Sequence, residues 1–150
     1  MWRTRFIHAI CLEKINSYLI LIMIQTFQNY LTNRGISPSF LDQTQTLLSF
    51  QQNGINFLFS YRRNQDPTYV RLMIPNIGTL DVNNSQEILR LCQLTSQYKV
   101  GKFIIEENNQ IWIVAEAFLY IQADHARLFD RLLSVLIDMF NEYRSITHGE

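Results

Sequence analysis

Thr46-Leu47-Leu48-Ser49-Phe50-Gln51-Gln52-Asn53-Gly54-Ile55-Asn56-Phe57-Leu58-Phe59-Ser60-Tyr61 is the stretch whose reading decides the fold. Asn53-Gly54 is the strongest short hairpin signal, because both central residues of the tight turn must accept positive φ. Thr46 to Gln51 therefore reads as a strand, and Ile55 to Arg62 as its returning partner. Side chains alternate across a strand, so Ile55, Phe57, Phe59 and Tyr61 share one apolar face.

Working outward from the hairpin, Asn64-Gln65-Asp66-Pro67 is a second turn and Tyr69 to Ile74 a third strand. Pro75 ends that strand on this reading, since proline cannot donate to a ladder. Asn84, with Glu87 three residues on, resembles a capping box and opens a helix. Ile88, Leu91 and Cys92 share one side of that helix, Leu89 lies beside them, and Tyr98 falls near its end. Lys102 to Glu107 and Gln110 to Ile121 form another hairpin around Asn108-Asn109, and Asp124 caps a long helix running to about Arg144. On the N-terminal side Ser37-Pro38-Ser39 is a loop. Before it, Ile24, Phe27, Tyr30 and Leu31 stand at helical spacing, and Gly35 is placed to end that helix as its C′ residue. The order is α-β-β-β-α-β-β-α. Short connections make neighbouring strands antiparallel, which predicts an α+β class with a five-stranded antiparallel sheet packed with helices.

A chain of 150 residues fits one ordinary domain. Apolar residues are 47% and charged residues 17%, which argues against disorder. Lys+Arg 13 balances Asp+Glu 13, so a basic nucleic-acid-binding domain is disfavoured. The small Arg62-Arg63 spot beside Tyr61 does not change that balance. Cys11 and Cys92 belong to no CxxC pair and have no histidine at ligand spacing, which reads as a reduced, cytoplasmic protein with no metal.

Residues 1–22 stand apart. The apolar run Tyr18 to Ile24 is far shorter than the roughly 20 residues of a membrane span, and no clean signal-peptide pattern precedes it. An interfacial helix over residues 15–27 is one use for it. A self-consistent amphipathic helix begins at Met23, so residues 1–22 also read as an extension that a natural start at Met23 leaves out. That start leaves 10 basic and 12 acidic side chains, a net of −2. Residues 23–150 are then the domain.

No residue announces a reaction. His125 sits in the first turn of the last helix, and His8 and His148 lie near the termini. No nucleophile elbow frames a serine, and no GxxxxGK[ST] or GxGxxG loop is present. Glu106, Glu107 and Glu116 lie on one hairpin, but adjacent strand residues point to opposite faces, so Glu106 and Glu107 do not converge. These carboxylates read as cross-strand charges. Neither a catalytic residue nor a cofactor is assigned.

The surplus is apolar. On the last strand Ile111, Ile113, Ala115 and Ala117 form one face, while Trp112, Val114 and Phe118 line the other, broken by Glu116. A sheet covered on one side should be polar on its other side. Leu58 adds to the second face where register permits. The last helix carries one stripe of Phe129, Leu133, Leu136 and Phe140 and an adjacent one of Leu128, Leu132, Val135 and Met139. Surface of this kind belongs to an interface unless another helix or the N-terminal extension covers it. The expected contact residues are Leu58, Trp112, Val114 and Phe118 on the sheet, with Leu132, Val135 and Met139 on the helix.

The order of elements resembles the type III secretion chaperone-like fold. Leu91 to Phe140 resembles the YbjN family of that fold, whose members are described as bacterial sensory transduction regulators. The features are a helix ending near Tyr98-Lys99-Val100-Gly101-Lys102, the strand Phe103-Ile104-Ile105, the turn Glu107-Asn108-Asn109, the strand Gln110-Ile111-Trp112-Ile113 continuing into Val114-Ala115-Glu116, and the helix around Arg127-Leu128-Phe129. Where such sequences often carry an Asn near the end of the middle helix, this one has Thr95-Ser96-Gln97. The resemblance spans roughly residues 23–145. It implies a small bacterial cytoplasmic protein that forms homodimers and binds proteins, with no defined active site. The expectation is a non-enzymatic protein-binding module, chaperone-like or regulatory. The alternative is a small-ligand-binding or enzymatic domain with a pocket between helix and sheet.

Overall fold

The computed structural model describes residues 22–61, 69–119 and 124–148. Residues 22–32 form α1, followed by β1 (Ser39–Phe40), β2 (Leu47–Gln52), β3 (Ile55–Tyr61) and β4 (Tyr69–Thr79). Next come α2 (Ser85–Gln97), β5 (Gly101–Ile105), β6 (Gln110–Phe118) and α3 (His125–His148). The strands form one sheet in the order β1-β2-β3-β4-β6-β5, antiparallel throughout. The α+β class and antiparallel pairing are as expected, with six strands in place of five. Most of the expected extension, residues 1–21, lies outside the described residues, as does the Arg62-Arg63 spot.

The turn chemistry explains the boundaries. Asn53 and Gly54 both take positive φ, 51° and 78°, and set β2 against β3 with Phe50 opposite Phe57. Asn108 and Asn109 both sit at φ 60° in a short 3-10 turn between β5 and β6. Gly35 ends α1 in the left-handed region at φ 73°. Its N–H donates to the Thr32 carbonyl and that of Ile36 to the Leu31 carbonyl, a Schellman pair. Asn84 caps α2 by accepting from the Glu87 N–H, but the Glu87 carboxylate accepts from the Asp81 N–H instead of closing the box. Asp124 caps α3 by accepting from the Arg127 N–H.

Two differences from expectation alter the sheet. The extra strand β1 is only two residues long, too short for any periodicity, and its Ser39 hydroxyl pairs with that of Ser49 across the ladder. β4 does not stop at Pro75. A bulge between Ile74 and Gly78 absorbs the proline, Asn76 takes φ 53°, and pairing resumes at Gly78 opposite Ile111.

One face of the sheet meets the helices. Phe57, Phe59, Leu72, Ile113 and Ala115 pack there against Phe27 and Leu31 of α1 and Phe129, Leu132, Leu136 and Met139 of α3. Phe27 stacks on Phe59 with ring centroids 4.0 Å apart and meets Phe129 edge-on at 4.5 Å. Each such buried side chain contributes roughly 1.5–3 kcal/mol. α1 and α3 are also locked by polar contacts: the Tyr30 hydroxyl donates to Asp130 at 2.6 Å, and Arg34 binds both Asp130 oxygens at 2.9 and 3.1 Å.

This packing corrects two sequence expectations. Leu132, 2% exposed, and Met139, 0% exposed, lie inside the core, so the second stripe of α3 is not an open surface. α3 packs against both α1 and the sheet, and it comes close to β5 because Gly101 has no side chain. A Cβ at Gly101 would overlap Met139 Sδ and Val135 Cγ1. Val135 is half-buried. On α2 the seated residues are Leu91 and Leu94, while Cys92 is exposed and not part of the core.

Candidate protein-interaction face

The opposite face of the sheet follows from strand parity and register. Leu58 of β3 stands opposite Met73 of β4, which stands opposite Val114 of β6. The next rung is Ser60, Arg71 and Glu116. Tyr69 then pairs with Phe118, and Trp112 with Ile104 of β5. Among the described residues no helix packs on this side, since the apolar cores of all three helices join the first face.

The four expected sheet contacts thus share one surface, but not equally. Phe118 is 53% exposed and stacks obliquely with Tyr69 at 5.5 Å. Trp112 and Leu58 are half-exposed. The Trp112 indole N–H donates to Asn76 Oδ1 at 2.9 Å, so the bulge after Pro75 fixes the ring orientation. Val114 is 0% exposed, enclosed in the middle of the rung, and supports its neighbours without offering contact area of its own.

At the centre lies a charge cluster in which Glu116 is the cross-strand charge expected, with partners that the sequence did not identify. Arg71 donates to Glu116 Oε1 from Nε at 2.9 Å and from Nη2 at 2.7 Å, and Lys102 pairs with the other carboxylate oxygen. Burial pushes the Glu116 carboxyl up. Bonds from Lys102, the Tyr69 hydroxyl and Arg71 outweigh that and bring it down to about 2. Burial also opposes the Arg71 charge, but Glu116 and Tyr69 hold its pKa above the usual value. Each of the three charged residues occupies the outward parity of its strand, which a sequence shows. That β4, β6 and β5 place them side by side is a matter of register, which it does not show. The cluster satisfies Glu116 with cations, so the carboxylate is an anchor for its neighbours and not a proton donor at neutral pH.

The other candidate groups do not converge. Glu106 and Glu107 are exposed, and His125 is half-buried beside the Phe129 ring at 6.4 Å. Among the described residues no set of three or more His, Cys, Asp or Glu is placed to hold a metal ion, and no helix is long and apolar enough to cross a membrane. Tyr61, next to Arg62-Arg63 in the sequence, is a core residue.

Neither a protein-family model nor a curated protein matches the chain. Its fold is similar to that of a chain in the heterodimeric complex ExoU-SpcU from the type III secretion system of Pseudomonas aeruginosa. The TM-score is 0.50 at 17% identity, over 76% of this chain and 94% of that one. The likeness is one of fold.

Proposed function

We propose that this protein is a non-enzymatic protein-binding module, chaperone-like or regulatory, that works as a homodimer in the bacterial cytoplasm. On this reading the domain is residues 23–150, and the pattern of Leu91 to Phe140 resembles the YbjN family. Its mechanism is burial of a partner's apolar side chains on the helix-free face of the sheet, around Trp112, Phe118 and Leu58, with Val114 as floor. On α3, Val135 remains a candidate contact, whereas Leu132 and Met139 act only through the core.

The observation that carries this reading is Phe118, a large aromatic left 53% exposed at the end of a central strand, beside Tyr69 and in line with Trp112. Burying such a side chain yields roughly 1.5–3 kcal/mol, which folding of this chain leaves unused and association recovers. The fold likeness to one chain of a heterodimeric secretion complex supports a protein partner.

The test is paired. Size-exclusion chromatography with light scattering on the full chain should give twice the monomer mass. Partners co-purified from the native host and identified by mass should be lost from Trp112→Ser and Phe118→Ser proteins whose circular dichroism is unchanged. A monomer at tens of micromolar, with partner retention in both variants, contradicts the reading.

A further inference from the structure

A cleft of about 250 Å³ opens between the start of α2 and the end of α3, remote from the helix-free face. Leu91, Leu94 and Ile146 form its apolar surface, and Glu87, Arg90 and Tyr143 contribute its polar groups. Its two walls are held in place: the Tyr98 hydroxyl donates to Glu142 at 2.7 Å, tying α2 to α3, and the Phe103 N–H donates to Thr95 Oγ1 at 3.2 Å, tying α2 to β5.

Several features of the cleft suit a small ligand carrying both charges. The Tyr143 ring is buried, its hydroxyl makes no hydrogen bond among the described residues, and that oxygen is not sealed from solvent but belongs to the cleft lining. The ring fits only because residue 78 is glycine: a Cβ there would overlap the hydroxyl. Burial, with the nearby Glu87 charge, keeps that hydroxyl protonated and therefore a donor. Finally, Glu87 and Arg90 stand one helical turn apart and form no ion pair, the Glu87 carboxylate accepting from the Asp81 N–H instead and Arg90 being exposed.

We propose that this cleft binds a free α-amino acid with an apolar side chain. An ammonium and a carboxylate on one carbon bridge two opposite charges that are neighbours but do not touch. The ammonium faces Glu87. The carboxylate faces Arg90 and accepts the Tyr143 hydroxyl. The side chain lies on Leu91, Leu94 and Ile146. No bond is made or broken. The site is separate from the helix-free face, so it stands or falls independently of the protein-binding reading.

The experiment is a titration of the full, isotope-labelled chain followed by amide NMR. L-leucine at millimolar concentration should give saturable shifts at Glu87, Arg90 and Tyr143 and none at Trp112. Three comparison compounds each lack one element: 4-methylpentanoate the ammonium, leucinol the carboxylate, and L-serine the apolar group. Each should bind about tenfold more weakly or worse, the worth of one charged or apolar contact. Arg90→Ala and Glu87→Gln should weaken leucine by about tenfold, and Tyr143→Phe, which keeps the packing, by several-fold. A folded spectrum with no saturable shift overturns the proposal. So does 4-methylpentanoate or leucinol binding as well as leucine, or wild-type affinity in both charge variants.

Discussion

The two faces of the sheet are made from the same kinds of residue and end differently. On the helix side, aromatic and aliphatic side chains from β2, β3, β4 and β6 meet α1 and α3 and are enclosed, Phe57 and Phe129 completely. On the other side Met73 and Val114 are also buried, a charge cluster holds the centre, and the aromatics at the margin stay open to solvent. Burial of an apolar residue therefore says nothing about which layer it serves. What separates the faces is whether a second layer exists to complete the contact.

The contrast can be broken first where it is strongest. Phe129→Ala removes a ring that meets Phe27, Tyr30 and Phe59, and it should cost about 3–5 kcal/mol in urea unfolding. A cost below about 1 kcal/mol would mean the helix side is not the core. Next is Gly101→Ala, expected to cost about 1–3 kcal/mol by thermal melting because α3 must move off β5. Glu116→Gln should cost about 1–2 kcal/mol at neutral pH by removing the carboxylate that Arg71 and Lys102 share. Its pH signature has a definite sign. The folded carboxyl is depressed to about 2 from an ordinary 4.5, so its contribution is complete above pH 4.5 and fades as the pH falls towards 2. The variant's stability curve should be flatter than the wild type's across that window, and parallel curves would show that the cluster is not coupled to folding. Smallest is Phe118→Ser, within about 0.5 kcal/mol of wild type, because no second layer rests on it.

Much of this was legible in the sequence wherever a residue's own conformational chemistry decides the outcome. Asn53-Gly54, Gly35, Asn108-Asn109 and Asp124 act through their own backbone or capping preferences and appear where expected. β1 was not legible because two residues carry no period, and the continuation of β4 was hidden because Pro75 is tolerated only by way of the bulge. For the surface, the alternation of β6 correctly set Trp112 and Phe118 on one face. The double stripe of α3 misled because helical periodicity reports how wide an apolar arc is and not how many neighbours enclose it. Here α1 and the close approach at Gly101 enclose it, so Leu132 and Met139 vanish from the surface. The Arg71–Glu116–Lys102 cluster joins residues from three strands, and its formation depends on register, a property of the assembled sheet.

The central claim is that the helix-free face, and not the Arg131 side of α3, receives another polypeptide. The direct measurement is site-specific photo-crosslinking in the native host, with a benzophenone amino acid replacing Phe118 in one protein and exposed Arg131 of α3 in another. The account predicts a discrete polypeptide adduct from position 118, either a second copy or a partner, and none from position 131. Adducts from 131 with none from 118 would contradict it.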